Sequence, residues 1–524
     1  MKMKFNITGT CYADFHYMMN NEEKLDDVMD MIEMGEYFTI NRPRQYGKTT
    51  SLRLLLESME KSTDYFPIAL NFQGVDEMWH ENDKAFATMF AQQLITSLEF
   101  QAPDLSAFLK VEKTAVIDMD TLSQVITRFT HKINKKVVLL IDEVDASSNY
   151  EPFLSFLGML RTKYLSRTRP NHKTFYSVVL AGVHDVKNLK FKLRDPEAAQ
   201  YNSPWNIATD FEVDMTFHPH QIIPMLEQYS ETENVKMDIS AMAERLYYHT
   251  SGYPFLVSKL CKNIAEKILK TKPEKERNEW TLADLEESVR LLLRENNTNF
   301  DSLIGNLENH QDLYDLVSRI ILDGEIVPFN QYNPTIYKGI LYGIFKRNGR
   351  IRIHNRIYEQ LVYDYMTSKL ITQPIEGAKN HGGYFINDDE SLDMEGVLLK
   401  FQSFMKEQRS KKDFKFIERQ WRLIFLAYLK PILNGKGHDF KEVETSEEKR
   451  LDVVVTYLHY KYILELKRWK GSKAHEKGLN QLANYLDIHS VENGFLLIFD
   501  DRQNPMWEVQ TISHEGKNIF AVWL

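Results

Sequence analysis

The sequence of 524 residues predicts an α/β protein, and three observations lead to that fold class. The N-terminal part carries four apolar runs separated by helical patterns, and strands that alternate with helices are typical of a parallel sheet. The middle part is helical almost throughout, and the last part returns to helices and strands. The four apolar runs are 36–42, 65–72, 136–145 and 175–183. The last three have no polar residue at their centres, so we expect them to be buried on both faces.

The composition fits a globular protein of about two to four domains. The only cysteines in the sequence are Cys11 and Cys261, which argues against a disulfide framework and suits a reducing cytoplasm. No stretch approaches the roughly 18 apolar residues that span a bilayer, so no membrane association is expected. The N-terminal stretch has no apolar segment of a secretory signal. The net charge of -9 gives no overall attraction to nucleic acid, so such binding needs a local basic patch.

The texture of the sequence predicts three domains and one linker. Residues 1–215 hold the four apolar runs and form the first domain. Residues 216–370 form a helical lid that ends in a winged-helix-like module, because a hairpin pattern around Asn348-Gly349 precedes a last helical stretch. Residues 371–393 are rich in Gly, Asn and Asp and are the predicted linker. Residues 394–524 form the final α/β domain.

The stretch NRPRQYGKTTS, residues 41–51, ends like a phosphate-binding loop but has Arg42 where the usual pattern has its first glycine. An apolar strand runs into it and a helical pattern runs out, which is the context that such a loop needs. Lys48 would reach the β- and γ-phosphates, and the Thr49 hydroxyl would coordinate Mg²⁺. A sequence that only caps a helix is the alternative. The predicted nucleotide-binding residues here are Arg44, Gln45, Tyr46, Gly47, Lys48, Thr49 and Thr50.

A second element strengthens the nucleotide interpretation. The apolar run VVLLI is followed directly by Asp142 and Glu143. A buried parallel strand delivers such acids at its carboxyl end, where open α/β sheets bind ligands. Asp142 would hold Mg²⁺ beside Thr49, and Glu143 would polarise the attacking water as the catalytic base. Two adjacent acids in a solvated turn are the plainer alternative.

Two further segments give weaker candidates. His184 and Asp185 follow the fourth apolar run, where a polar group could sense the γ-phosphate. The sequence Ser-Gly-Tyr-Pro ends at Pro254, which is placed to begin a helix. That motif could let the lid respond to the nucleotide. An ordinary strand end explains the first segment equally well, and an ordinary helix start explains the second.

These motifs together resemble the bacterial AAA-ATPase-like family, a variant P-loop group related to the AAA and STAND NTPases. The matching stretches are GEYFTINRPRQYGKTTSL, LLIDEVD, AGVHDVKNL and SGYPF, within about residues 1–370. The family's loop has the form RPR-x-x-GK-[ST], so Arg42 belongs to its pattern. The resemblance implies ATP binding and slow hydrolysis with Mg²⁺, but no defined substrate. AAA-style hydrolysis would take an arginine from a neighbouring subunit, so a homo-oligomer is compatible with it.

The last domain contains a second cluster, in RLDVVVTYLHYKYILELKRWKG, residues 450–471. Two apolar strands joined by a short polar turn can bring Asp452, Glu465 and Lys467 together, since period 2 places Glu465 and Lys467 on one face. Two carboxylates suit Mg²⁺ or Mn²⁺, and a lysine beside them can activate water for phosphodiester hydrolysis. Between 461 and 477 six Lys/Arg stand against two Glu, with Trp469 among them. A surface ion pair and a solvated helix face are the alternatives.

This tail resembles the PD-(D/E)xK nuclease superfamily, with a fold like that of restriction endonucleases. Asp452 matches the motif aspartate, and Glu465 with Lys467 matches the (D/E)xK. The resemblance also assigns Glu418 as a further metal-binding acid, and Gln481 and Tyr485 as a Q-x-x-x-Y pair on one helix face. The motif proline is absent before Asp452, a departure that the superfamily tolerates.

Three functions remain open from the sequence. The first is an ATP-binding protein, an ATPase, coupled to a metal-dependent nuclease, with nucleic acid as partner and DNA favoured over RNA. The second is a nucleotide-switched, STAND-like regulator that binds nucleic acid or protein without cleavage. The third is a signalling NTPase whose tail is an interaction module. The intact set of Asp452, Glu465 and Lys467 favours the first, since a pure binder does not need it.

Overall fold

The computed structural model describes residues 2–148, 150–183, 205, 207–209, 211, 213–322, 325–372, 385–387, 389–409, 421–422, 424–426, 428–429, 432–433, 437–442, 452–457, 460–469, 471–489, 491–500, 502 and 505–524. The chain divides into two compact units. The first comprises Met1–Leu303 and Tyr337–Ile344, and the second comprises Ile304–Ile336 and Phe345–Leu524. The domain boundaries expected from the sequence remain predictions, and most of the expected linker lies outside the described residues.

The first unit is built on a parallel sheet, as the sequence predicts. Its four described strands lie in the order β1-β4-β3-β2. Each neighbouring pair is parallel. Because β4 lies between β1 and β3, the segments that follow these three strands meet at one edge. The strands are β1 (Tyr37–Asn41), β2 (Tyr65–Asn71), β3 (Lys136–Asp142) and β4 (Ser177–Gly182).

The expected burial of the strands is right for β3 and β4 but wrong for β2. Nearly all of β3 and all of β4 are buried, whereas Ala69 and Asn71 of β2 are exposed. The reason is the strand order, which puts β2 at the edge of the described sheet, where Pro67 is also tolerated. On the other side of β1, Phe38 forms a parallel bridge with Thr209.

Helices cover the sheet, and the helices of residues 219–294 form the helical region of the first unit. The helices are Glu22–Glu33, Lys48–Glu60, Asp83–Leu98, Pro103–Glu112, Met119–His131, Glu151–Ser166, Pro219–Glu233, Ile239–Thr250, Pro254–Asn263 and Leu282–Arg294. A π-helical segment, Ile264–Ile268, and a last turn, Leu269–Thr271, extend the helix that begins at Pro254. The helices Thr298–Glu308 and Pro334–Leu341 contain two of the three points at which the chain divides into units; the third lies between Ile344 and Phe345.

The second unit contains the expected hairpin and a larger mixed sheet. The three-stranded sheet has the order β5-β7-β6 and is formed by β5 (Val327–Pro328), β6 (Phe345–Asn348) and β7 (Arg350–Ile353). The turn residue Gly349 has φ 68°. The six-stranded sheet, counted over the described residues, has the order β12-β13-β11-β10-β9-β8. Its strands are β8 (Gly437–Glu442), β9 (Asp452–Tyr457), β10 (Tyr460–Arg468), β11 (Asn493–Phe499), β12 (Val509–His514) and β13 (Lys517–Trp523).

One helix of the second unit connects the central strands of the mixed sheet. Ser472–Ile488 links β10 to its parallel neighbour β11 and buries Leu482 and Leu486 against the sheet. Further helices among the described residues of this unit include Gln311–Leu322, Arg356–Thr372 and Met394–Arg409. No helix in the described part of the chain is long and apolar enough to cross a membrane.

Candidate functional site

The predicted phosphate loop connects β1 directly to the helix Lys48–Glu60. Gly47 caps that helix with φ 83°, a left-handed conformation that favours glycine. Gln45 also has a positive φ, 59°. The sequence therefore forms a tight loop between a buried strand and a helix N-terminus, which is where a phosphate binds.

Lys48 is held inside this loop by main-chain oxygens. Its Nζ donates to the carbonyl of Arg42 at 2.9 Å and to that of Pro43 at 3.0 Å. The residue is 7% exposed. Burial lowers the pKa of Lys48, and the nearby carboxylates, Glu143 first, oppose that shift. The ammonium is thus fixed by the backbone at the position from which it would meet a phosphate.

Thr49 and Asp142 come together as the sequence predicts. The Thr49 hydroxyl donates to Asp142 Oδ2 at 2.6 Å, and Asp142 Oδ1 accepts from the backbone N–H of Glu143 at 2.9 Å. Asp142 is the last residue of β3 and is buried. A hydroxyl and a carboxylate at the carboxyl edge of a parallel sheet are hard oxygen ligands, which fits Mg²⁺.

Glu143 stands beside this pair in a left-handed conformation with φ 55°. Burial raises the pKa of Glu143, and the charge of Asp142 raises it further. Lys48 acts in the opposite direction. A half-buried carboxyl with a raised pKa is suited to accept a proton from water.

The Ser-Gly-Tyr-Pro motif contacts the loop through Tyr253. Its hydroxyl donates to the Arg44 carbonyl at 2.6 Å, and its ring meets that of Tyr46 edge to face with centroids 4.7 Å apart. Pro254 begins the next helix, as expected, and is buried. The sequence singled out Pro254, but the loop contact is made by its neighbour.

Arg42 and Asp145 have roles that the sequence did not reveal. Arg42 donates to the Val213 carbonyl at 2.6 Å and lies over the Phe211 ring, so it anchors the segment beside β1. Asp145 accepts from the backbone N–H of Val183 and thereby holds the end of β4. Asp145 is the third acid of the stretch IDEVD, and its position next to the two predicted acids is the sequence feature that could have pointed to it. His184 and Asp185 lie outside the described residues.

Thr50 contacts the N-terminal segment. Its hydroxyl accepts from the backbone N–H of Cys11 at 3.1 Å. One turn further along the helix, the Arg53 guanidinium lies over the Tyr12 ring, 4.7 Å from its centroid. The first turn of the helix is therefore braced by residues some 40 positions earlier in the chain, a pairing that local sequence patterns do not encode.

In the second unit, β9 and β10 form the expected antiparallel hairpin. Asp452 lies directly opposite Glu465, and opposite residues of an antiparallel pair share one face. Glu465 is 0% exposed and forms an ion pair with Lys467. Lys467 Nζ also donates to Gln481 Oε1 at 3.1 Å. Three of the predicted residues, Glu465, Lys467 and Gln481, are therefore in contact.

Less is described for the other predicted residues of the tail. Tyr485 is buried in the core of the second unit and stacks on His489. The Asp452 side chain and the whole of Glu418 lie outside the described part of the chain. Within that part, no group of three or more His, Cys, Asp or Glu residues could hold a metal ion. The metal set of Glu418, Asp452 and Glu465 stays a prediction.

A family model described as "AAA-like domain" matches residues 12–360, more than half of the chain. No curated protein sequence matches this chain. A Walker-type ATPase of Pyrococcus abyssi is 12% identical, with 68% of this chain and 99% of that chain covered and a TM-score of 0.45.

Two other solved structures are similar to a lower degree. The ORC1 protein of Aeropyrum pernix in complex with DNA is 14% identical over 67% of this chain and 94% of that chain, with a TM-score of 0.31. The RuvB Holliday junction branch migration motor of Thermotoga maritima is 14% identical over 68% and 98%, with a TM-score of 0.33. Such low scores carry no argument, and the fold rests on the sheet order and the loop described above.

Proposed function

The chain belongs to the AAA-like domain family, and on that premise we propose that it binds ATP with Mg²⁺ and hydrolyses it. One observation carries this proposal. The 2.6 Å bond between Thr49 and Asp142 puts two Mg²⁺-type ligands beside the backbone-held Lys48. A sequence that only begins a helix does not require an acid from another strand beside the first turn of that helix.

Each residue of the site has a defined task in this proposal. The main-chain N–H groups of residues 44–47 would bind phosphate oxygens, and Lys48 would bind the β- and γ-phosphates. Thr49 and Asp142 would hold Mg²⁺, which supplies positive charge to the phosphates. Glu143 would take the proton of the attacking water, in line with its raised pKa.

Glu143→Gln separates binding from hydrolysis. We expect this variant to bind ATP as the wild type does, because the amide keeps the shape of the side chain, and to lose at least about 100-fold in hydrolysis rate, because it cannot accept a proton. The measurement is phosphate release beside ATP affinity, with Mg²⁺ and with a chelator. Full hydrolysis in the variant would remove Glu143 from the mechanism.

We also propose that the tail is a metal-dependent phosphodiesterase acting on nucleic acid, with DNA favoured over RNA. The supporting observation is the contact of Glu465, Lys467 and Gln481 on a strand whose neighbour carries Asp452 directly opposite Glu465. Either Mg²⁺ or Mn²⁺ would suit the carboxylates. The nuclease superfamily resemblance is the reason to choose this chemistry over a simple ion pair.

The test is cleavage of single- and double-stranded DNA and RNA by the full chain, in Mg²⁺ or Mn²⁺ and with or without ATP. We expect cutting that is lost in Asp452→Ala and kept in Glu492→Ala, which removes an exposed acid outside the cluster. Cutting that survives in Asp452→Ala would refute the site. No cutting at all, with ATP still bound, would favour the nucleotide-switched regulator that binds without cleavage.

A further inference from the structure

A line of side chains leads from the buried acid of the tail to the surface. Glu465, Lys467 and Trp469 alternate along β10 and its continuation, so they share one face. The exposed fraction of the side chain increases from Glu465 to Lys467. The side chain of Glu465 is 0% exposed and that of Lys467 24%, while Trp469 is half-buried. The Trp469 ring lies 5.7 Å from that of His475, on the helix that also supplies Gln481.

An arginine with a fixed orientation lies at the outer end of this line. The Arg502 guanidinium is over the Trp469 ring, 5.6 Å from its centroid. Its Nε donates to Asp500 Oδ1 at 2.8 Å and its Nη2 to Oδ2 at 2.7 Å. Asp500 is fully buried and also accepts from the Met506 backbone. The Arg502 side chain is 49% exposed, so an arginine held in place by Asp500 lies at the surface.

We propose that Arg502 binds a phosphate of the nucleic-acid strand whose neighbouring phosphodiester lies at Glu465 and Lys467. This rests on the proposed phosphodiesterase function of the tail. A planar guanidinium forms strong forked hydrogen bonds to phosphate, and one that is already immobilised loses little side-chain entropy on binding. Trp469 is two positions beyond Lys467, about 6.6 Å along an extended strand, so Arg502 lies within one or two nucleotides of the candidate site.

A competing explanation assigns Arg502 a structural task only. Asp500 is a buried carboxylate, and a positive charge beside it stabilises it; accordingly Arg502 lowers the pKa of Asp500 to about 2. Removing the arginine alone would leave that charge uncompensated and could unfold the tail. A double variant, Asp500→Asn with Arg502→Gln, removes both charges and so separates folding from phosphate binding.

The experiment measures binding of labelled 20-nucleotide single and double strands to the full chain in the Asp452→Ala background, which prevents cutting. We expect the double variant to keep the melting temperature of its parent and to bind about tenfold more weakly. The slope of log affinity against log salt should fall by about 0.7 to 0.9, the share of one phosphate contact. Lys400→Gln, which removes an exposed charge of the same unit, serves as the matched control.

The outcomes distinguish this inference from the function on which it rests. Weaker binding with a reduced salt slope, in a folded double variant, supports the phosphate contact. Parental affinity and slope in that variant overturn it and leave the nuclease proposal standing. Absence of any nucleic-acid binding by the parent overturns both.

Discussion

The phosphate loop and the tail hairpin each place a lysine among acids, but the two lysines are held differently. Lys48 donates to two main-chain carbonyls, of Arg42 and Pro43. Lys467 is paired with the side chain of Glu465, which has no exposed surface. A backbone oxygen keeps its place when its lysine is removed, whereas a buried carboxylate depends on its counter-charge. The loss of Lys48 should therefore affect the ligand, and the loss of Lys467 should affect the fold.

The largest expected effect is on nucleotide affinity in Lys48→Ala. We expect ATP affinity to fall at least about 1000-fold, or about 4 kcal/mol, because charge-assisted bonds to two phosphates are lost. The free energy of unfolding should change by less than about 1 kcal/mol, since burial already disfavours the ammonium. Calorimetric titration and urea unfolding measure the two quantities.

Lys61→Ala is the matched control, an exposed lysine at the other end of the same helix. It should change neither quantity. Unfolding of the Lys48→Ala variant at normal temperature would break the comparison, because it would mean that the loop depends on its lysine for structure.

The next effect is on stability in Lys467→Met. This change leaves Glu465 buried without its cation, which should cost about 3 kcal/mol of unfolding free energy in the second unit. The double variant with Glu465→Gln should recover most of that loss, because no charge is then buried. Urea unfolding of the full chain checks both, with Lys461→Met, exposed on the same strand, as control. Equal stability of wild type and Lys467→Met would contradict the proposed dependence.

Local sequence predicted much of both regions. Four apolar runs and a strand-loop-helix pattern sufficed to predict the parallel sheet and the Thr49–Asp142 pair, because parallel strands bring their carboxyl ends to the same edge of the sheet. Period 2 sufficed for the Glu465–Lys467 face. In both cases the relevant residues lie close in sequence or are brought together by regular geometry.

The remainder depends on contacts between distant segments. The exposure of β2 follows from its edge position, which its own residues do not determine. The bond from Tyr253 to the Arg44 carbonyl joins residues 209 positions apart, and Arg42 is bound to a segment 171 positions away. Arg502 contacts Trp469 because β10 and β11 are parallel neighbours. No periodicity specifies such pairings.

A third effect concerns the pH dependence of hydrolysis. The pKa of Glu143 is raised by burial and by Asp142, so its carboxyl takes up a proton at a higher pH than an ordinary glutamate does. A protonated base cannot accept a proton, and kcat/KM for ATP should fall about tenfold per pH unit below that raised pKa. In Glu143→Gln the residual rate should show no such acid limb. A wild-type profile whose acid limb begins only in the ordinary glutamate range would disagree with the burial of this group.

The smallest effect tests whether the main chain of the loop is shaped by the helical region. Tyr253→Phe removes the hydroxyl that donates to the Arg44 carbonyl but keeps the ring against Tyr46. A neutral hydrogen bond contributes about 1 kcal/mol. If the bond fixes the loop in its phosphate-binding form, ATP affinity should fall about fivefold, whereas Tyr332→Phe, an exposed tyrosine of the second unit, should have no effect.

Measuring both ATP affinity and the free energy of unfolding of Tyr253→Phe distinguishes two roles of this hydrogen bond. A loss of affinity at unchanged stability would mean that the loop relaxes only when nucleotide must be bound, so that the helical region sets the shape of the backbone that binds phosphate. A loss of stability at unchanged affinity would mean that the bond merely attaches that region to the sheet. The loop would then owe its form to Gly47 and to the carbonyls that hold Lys48, and the contrast with the tail hairpin would become sharper.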